Sequence, residues 1–173
     1  MRKIIITGII LMGLAACQQG NQDNIAFIDN SELINEYQEK KELDAKIKTK
    51  VEKFNKKRDS ISQAFQLEYN QAGAKSQGMS QKAAQELLKS LNERGQFLGQ
   101  QLQIEEQQLQ QESQSQMDTL VKRVKQFIKD YGKEKNYTYI LGANEAGSVL
   151  YGNEAKDITD AVLKALNDGY VKE

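Results

Sequence analysis

Between residues 43 and 131 the apolar side chains keep to a narrow file. Leu43, Ile47, Val51, Phe54, Ile61, Phe65 and Ala72, with Arg58 and Glu68 filling the remaining steps, follow one another mostly three and four residues apart. That spacing is the seam of a coiled coil. The seam stops at GAKSQGMS, where Gly73 and Gly78 break the pattern and Ser80 is placed to cap a new helix. A second seam runs through Ala84, Leu88, Leu91, Gly95, Leu98, Leu102, Glu105, Leu109 and Glu112. It then moves by about one residue and resumes at Met117, Leu120, Val124, Phe127 or Ile128, and Tyr131. Such a phase shift relaxes a supercoil, so the helix is expected to bend near Gln114–Met117. Glu105, at a seam position, reads as a polar register element. Two seams around one short break predict a long antiparallel hairpin over 38–131 with its tip near 73–80. At ~1.5 Å per residue its two helices would reach about 50 Å and about 80 Å.

The ends of the chain have a different pattern. NIAFIDN, 24–30, reads as a short strand, and SELINEY as a helix start capped by Ser31 or Asn30. Asn136 is placed to stop the long second helix. YTYIL (137–141) and VLY (149–151) read as two further strands around a Gly-rich connection. DITDAVLKALNDG is a short amphipathic helix with Asp157 as its cap and Ile158, Val162, Leu163 and Leu166 inward. Three such short strands leave open edges and little core. A sheet shared between chains would bury Ile25, Phe27, Ile140, Leu141 and Leu150. The expected fold is therefore α+β and mostly helical: a long antiparallel coiled-coil hairpin arm on a small β body, 25–37 and 132–173, shared between the chains of an oligomer.

The first residues, MRKIIITGIILMGLAACQQG, change the picture of where this happens. Arg2 and Lys3 precede an apolar run, Ile4 to Leu14, too short to span a membrane comfortably. Small residues then lead to Cys17, the single cysteine. The reading is a signal peptide over 1–16 and export. One cysteine cannot form an internal disulfide, and LAAC resembles the lipobox of bacterial lipoproteins, in which Cys17 becomes the lipidated first residue. The alternative is an ordinary signal cut after LAA or AAC. Two or more acyl chains would hold the protein firmly at a membrane, and residues 17–24 would be its lipidated polar tether. Gln18, rather than Asp, after the cysteine resembles an outer-membrane address.

Charge and composition exclude several functions. The chain has 24 basic and 24 acidic residues, and loss of Arg2 and Lys3 leaves the mature chain at about −2. No basic block interleaves with aromatics, so no nucleic-acid partner is expected. There is no His, no metal-ligand spacing and no phosphate loop around GANEAG. Glu105 and Glu106 point to different faces of a helix, which does not suit paired acid and base work. Neither an enzyme nor a cofactor is expected. The lysine-rich stretch 40–58 reads as a solvated helix face before it reads as a binding patch.

IAFIDNSELINEY near the start, the charged hairpin, and KEKNYTYILGANEAGSVLYGNEAKDITDAVLKALND near the end resemble the Skp/OmpH family of periplasmic chaperones, over the whole mature chain. The resemblance implies a homotrimer with a β body and three helical arms. These would enclose unfolded outer-membrane or secreted polypeptides without ATP. The familiar soluble members are strongly basic and free to diffuse, whereas this chain has a sequence pI near 6.4 and a lipobox. The implied function is that of an ATP-independent periplasmic holdase, lipid-anchored to a bacterial membrane, with the outer membrane ahead of the inner. Client contacts would come from dispersed apolar side chains of the arm: Phe54, Phe65, Leu91, Phe97, Leu98 and Ile104. Gly73, Gly78, Gly95 and Gly99 would soften the arm, at about 1 kcal/mol of helix stability each. The competing reading is a lipid-anchored coiled-coil spacer or envelope scaffold.

Overall fold

The computed structural model describes residues 23–144 and 147–171. The expected signal peptide, Cys17 and the first part of the expected tether lie outside the described residues. The described residues divide into two compact units, 23–33 with 126–144 and 147–165, and 34–125 with 166–171.

In the first unit, β1 (Ile25–Asp29) pairs in parallel with β2 (Tyr139–Ala143), Ile25 opposite Tyr139 and Asp29 opposite Ala143. Parallel strands need a long crossover, and here the crossover contains every residue of the long helices. Alternation along β1 turns Ala26 and Ile28 inward, each 2% exposed. Leu33 and Val162 complete this core at 0%. The helix α1 (Asn30–Glu36) starts where Asp29 Oδ1 accepts the amides of Ser31 and Glu32, at 2.7 and 3.0 Å. Its cap is thus Asp29, the last strand residue, rather than Ser31 or Asn30. The backbone amide of Asp29 donates in turn to Thr159 Oγ1 (2.9 Å), and Asp157 Oδ1 accepts from the amide of Thr159 (2.8 Å). That network opens the last helix, α4 (Thr159–Asp168), with Val162 and Leu166 buried.

Two strand expectations are corrected. The second strand covers 139–143 instead of 137–141, because the amides before it are already used. Asn136 adopts φ 56°, Tyr137 N donates to Gly132 O at 2.9 Å, and Asn136 N to Lys133 O at 3.2 Å. This is a Schellman stop with Asn136 in the left-handed position. Thr138 N then donates to Asn24 O, so the ladder begins at Tyr139. The third strand, 149–151, does not form. The free side of β1 is taken by Asp157 and Ile158, whose amide donates to Phe27 O at 3.0 Å. Val149–Tyr151 therefore finds no strand edge on β1, and Leu150 and Tyr151 stand 93% and 86% exposed.

The second unit is built on a helical hairpin. The helices α2 (Gln38–Ser76) and α3 (Gln81–Glu134) have 39 and 54 residues, about 58 Å and 81 Å at 1.5 Å per residue. Tyr37, extended at φ −63° and ψ 128°, separates α1 from α2. At the tip, Gly78 N donates to Lys75 O and Met79 N to Ser76 O, both at 3.2 Å. The backbone and hydroxyl oxygens of Ser80 accept from Ala84 N and Ala83 N, as the sequence anticipates. The helix α3 is unbroken through Gln114–Met117.

The left-handed conformation of Asn136 makes a prediction. Asn136→Val puts a β-branched residue where it costs about 1–2 kcal/mol, whereas Asn136→Gly costs nothing at φ 56°. Thermal unfolding of the two variants should show a lowered midpoint for the valine alone.

Candidate functional site

The hairpin carries the six predicted client-contact residues. Its stability and its register come from different interactions. Phe54, Ala72, Leu91, Leu120 and Val124 are buried along it, none more than 7% exposed. Burying a large apolar side chain is worth about 1.5–3 kcal/mol. Four ion pairs cross between the helices: Glu39 with Arg123, Lys50 with Glu112, Lys57 with Glu105 (2.5 Å) and Glu68 with Arg94 (2.5 Å). Most of these side chains are more than a third exposed, so each pair contributes only about 0.2–1 kcal/mol. The residue numbers of every pair add to 162. On both helices the partners are spaced 11, 7 and 11 residues apart, whole numbers of turns that keep them on one flank of the seam. A slip of one heptad that keeps Lys50 opposite Glu105 would set Lys57 against Leu98, Glu39 against Gln116 and Glu68 against Leu87. One pair in four would survive, so these pairs select the register while the seam supplies the energy.

Glu105 thus plays the register part that its place in the seam suggests, through Lys57. Five of the nine basic residues in the lysine-rich stretch are in ion pairs: Lys40 with Asp44, Lys41 with Glu36, and Arg58 with Asp59, besides the two cross-helix pairs of Lys50 and Lys57. Arg58 is exposed and is no seam residue. The phase shift falls one step earlier than expected, between Leu109 and Ser113 rather than near 114–117. Glu112 turns out to Lys50, and Ser113 takes the inward place, its hydroxyl donating to Leu109 O at 2.8 Å. From Leu102 the less exposed positions run 102, 105, 109, 113, 116–117, 120–121, 124 and 127–128. The two successive steps of four, 105 to 109 to 113, depart from the heptad alternation and relax the left-handed winding there.

A small inward residue at a shifted position leaves the seam under-filled. A groove of about 530 Å³ opens there, floored by Ile47, Val51, Phe54, Leu109 and Met117. Counting about 100° per residue, it lies on the flank opposite the ion pairs. The six predicted client residues divide. Phe54 and Leu91 are buried in the hairpin, at 7% and 4%, and Phe54 reaches the groove. Phe65 and Leu98 are half-buried, while Phe97 and Ile104 are open at 57% and 55%. Gly95 has a packing role that spacing alone did not reveal. A Cβ there would stand 2.8 Å from Phe65 Cζ, whereas one at Gly99 or Gly73 would meet nothing within 4 Å.

At the start of α2, Tyr37 is 5% exposed and its hydroxyl donates to Glu39 Oε2 at 2.8 Å. Glu39 also takes Arg123, and the ring of Tyr170 meets that of Tyr37 edge-on at 5.9 Å. Asn167 Oδ1 accepts the amide of Gln38 at 3.0 Å. Burial, then the hydrogen bond and charge of Glu39, raise the Tyr37 phenol far above its ordinary value of 10.0. The cluster is a clasp with no reactive group. Among the described residues there is no group of three or more Cys, Asp or Glu that could hold a metal ion, and no helix long and apolar enough to cross a membrane.

Two consequences can be measured. Gly99→Ala should raise stability by about 1 kcal/mol, the helix-propensity difference. Gly95→Ala should gain clearly less or lose, because Phe65 must move. For Tyr37, the raised native pKa means that its contribution is complete below pH 10 and is lost as pH rises further. Denaturant titrations above pH 10 should therefore fall more steeply for the unmodified protein than for Tyr37→Phe.

The comparisons with known proteins agree with this geometry. A crystal structure described as a candidate outer membrane chaperone (OmpH-like) from Caulobacter crescentus CB15 superposes with a TM-score of 0.75. It is 18% identical, and the match covers 84% of this chain and 85% of that one. At that identity it speaks for the fold. No curated protein sequence matches the chain. The model of one family, "Outer membrane protein (OmpH-like)", matches residues 24–166, most of the chain. The chain therefore belongs to the OmpH-like family of outer membrane proteins.

Proposed function

We propose that the protein is an ATP-independent holdase for unfolded outer-membrane or other secreted polypeptides, working as a lipid-anchored homotrimer. Its family is one of non-enzymatic chaperones of the periplasm. The observation that carries the reading is the division of the hairpin. Its cross-helix ion pairs occupy one flank, and apolar side chains are left accessible elsewhere: Val51, Phe97, Ile104 and the groove. Scattered small contacts of this kind hold an extended chain weakly at many points. None is large enough to impose a fold on it.

The trimer draws support from the sheet. Within one chain it has two strands and one bridge, and a sheet of that size is marginal alone. Ile25, Tyr139, Leu141, Leu150 and Tyr151 remain exposed beside it. Neighbouring copies would cover them and give 149–151 the partner it lacks. A rod-like spacer has no use for such a surface. Anchoring through Cys17 rests on the LAAC motif, and an outer-membrane site on Gln18. The near-zero net charge makes the grip less electrostatic than in basic relatives.

The test is dilution of a urea-unfolded outer-membrane barrel into buffer with and without the mature protein. A holdase keeps the barrel soluble without ATP, and sedimentation gives a three-chain mass with an extended frictional ratio. Aggregation at the uncatalysed rate, or a two-chain rod, would defeat the proposal.

A further inference from the structure

The groove at the phase shift is chemically unlike the rest of the hairpin surface. Around its apolar floor stand Asn55, Gln110, Ser113 and Gln114, and the single charge on its lining is the carboxylate of Glu106. No cation borders it, although α2 carries eight lysines between residues 40 and 57. The floor runs from Ile47 to Phe54 on α2, and the lining from Glu106 to Met117 on α3. At 1.5 Å per residue those spans are about 10 Å and 16 Å. An extended chain of three to five residues covers the same distance at about 3.3 Å each. Its side chains alternate between faces, so two of one face, about 7 Å apart, would enter together. The amide side chains on the lining can donate to and accept from peptide groups, which an extended backbone leaves unsatisfied.

We infer that this groove takes an uncharged extended segment with alternating apolar side chains, as in an unfolded membrane β-strand, and takes it without help from charge. The inference rests on the holdase reading and names the segment class for one site on the arm. A second copy of the hairpin is a poor occupant. Its outer faces are rich in Lys and Glu, and these would be desolvated against a lining that offers one carboxylate and no cation. The groove exists because position 113 is Ser where a seam would hold a larger apolar residue, so Ser113→Leu fills it. Ser60→Leu adds the same side chain on the exposed outer face of α2 and serves as the control. Val51→Glu puts a second carboxylate at the groove from a side chain already 39% exposed.

The probe is a labelled ten-residue peptide alternating Leu or Tyr with Ser, Thr or Gln, and the same peptide with Glu at the polar positions. It is titrated into the mature protein by fluorescence anisotropy at low and high salt. Binding of the uncharged peptide should be unchanged by salt, and the Glu peptide should bind several-fold more weakly. Ser113→Leu should weaken the uncharged peptide several-fold while raising the unfolding temperature. Val51→Glu should weaken it too, and Ser60→Leu should not. Binding that survives both groove substitutions, or that collapses in salt, overturns the proposal. So does a change in the assembly's mass on Ser113→Leu, which would make the groove an interface between copies. The barrel-holding assay on the same variants separates the two levels. An unmodified protein that holds no barrel defeats the holdase reading itself. A protein that holds it as well with the groove filled defeats only the groove.

Discussion

The constraint on which the hairpin depends is its register. Two helices of 39 and 54 residues with repeating seams could pair in several alignments a heptad apart, each burying a similar amount of apolar surface. Four exposed ion pairs, individually weak, remove that degeneracy because all four require the same offset. Phe65 closing over Gly95 adds a shape requirement at one more point. Small energies suffice here because the choice is between alternatives of nearly equal burial.

That arrangement sorts the surface. Charges that set register are spent against each other on one flank, and so are unavailable to a client. The other flank inherits the cost of the phase shift, an under-filled seam with a Ser at its centre. An under-packed position in a core would be a defect. On an arm that holds unfolded chains, as proposed here, it would be a place for a foreign side chain. With 24 basic and 24 acidic residues, the proposed grip would rest on such places more than on attraction at a distance.

Much of this was legible in the sequence. The seams, the tip and the capping Ser80 could be read because helical spacing and breaker residues are local signals. The last helix could be read from Asp157 and its apolar face for the same reason. The cross-helix pairs could not be read one by one. Lys50 and Glu112 are 62 residues apart, and their meeting depends on where the tip turns. Ser113 was passed over because the alternation of three and four leads from Leu109 to Glu112, one residue short of it. Gly95 looked like a weak point because its neighbour Phe65 lies on the other helix. The third strand failed for a related reason: 149–151 has strand composition, but a strand needs an edge, and within the chain Asp157 and Ile158 already hold the one on β1.

The register can be measured directly. Spin labels at Ser62 on α2 and at Glu93, Gln100 or Gln107 on α3 occupy exposed positions, the last three on one face at heptad intervals. If the offset is the one the ion pairs demand, the distance is shortest for Gln100 and longer by a few ångströms for the label one heptad, about 10 Å, to either side. A minimum at Glu93 or Gln107, or separations too long for paired helices, would contradict the account.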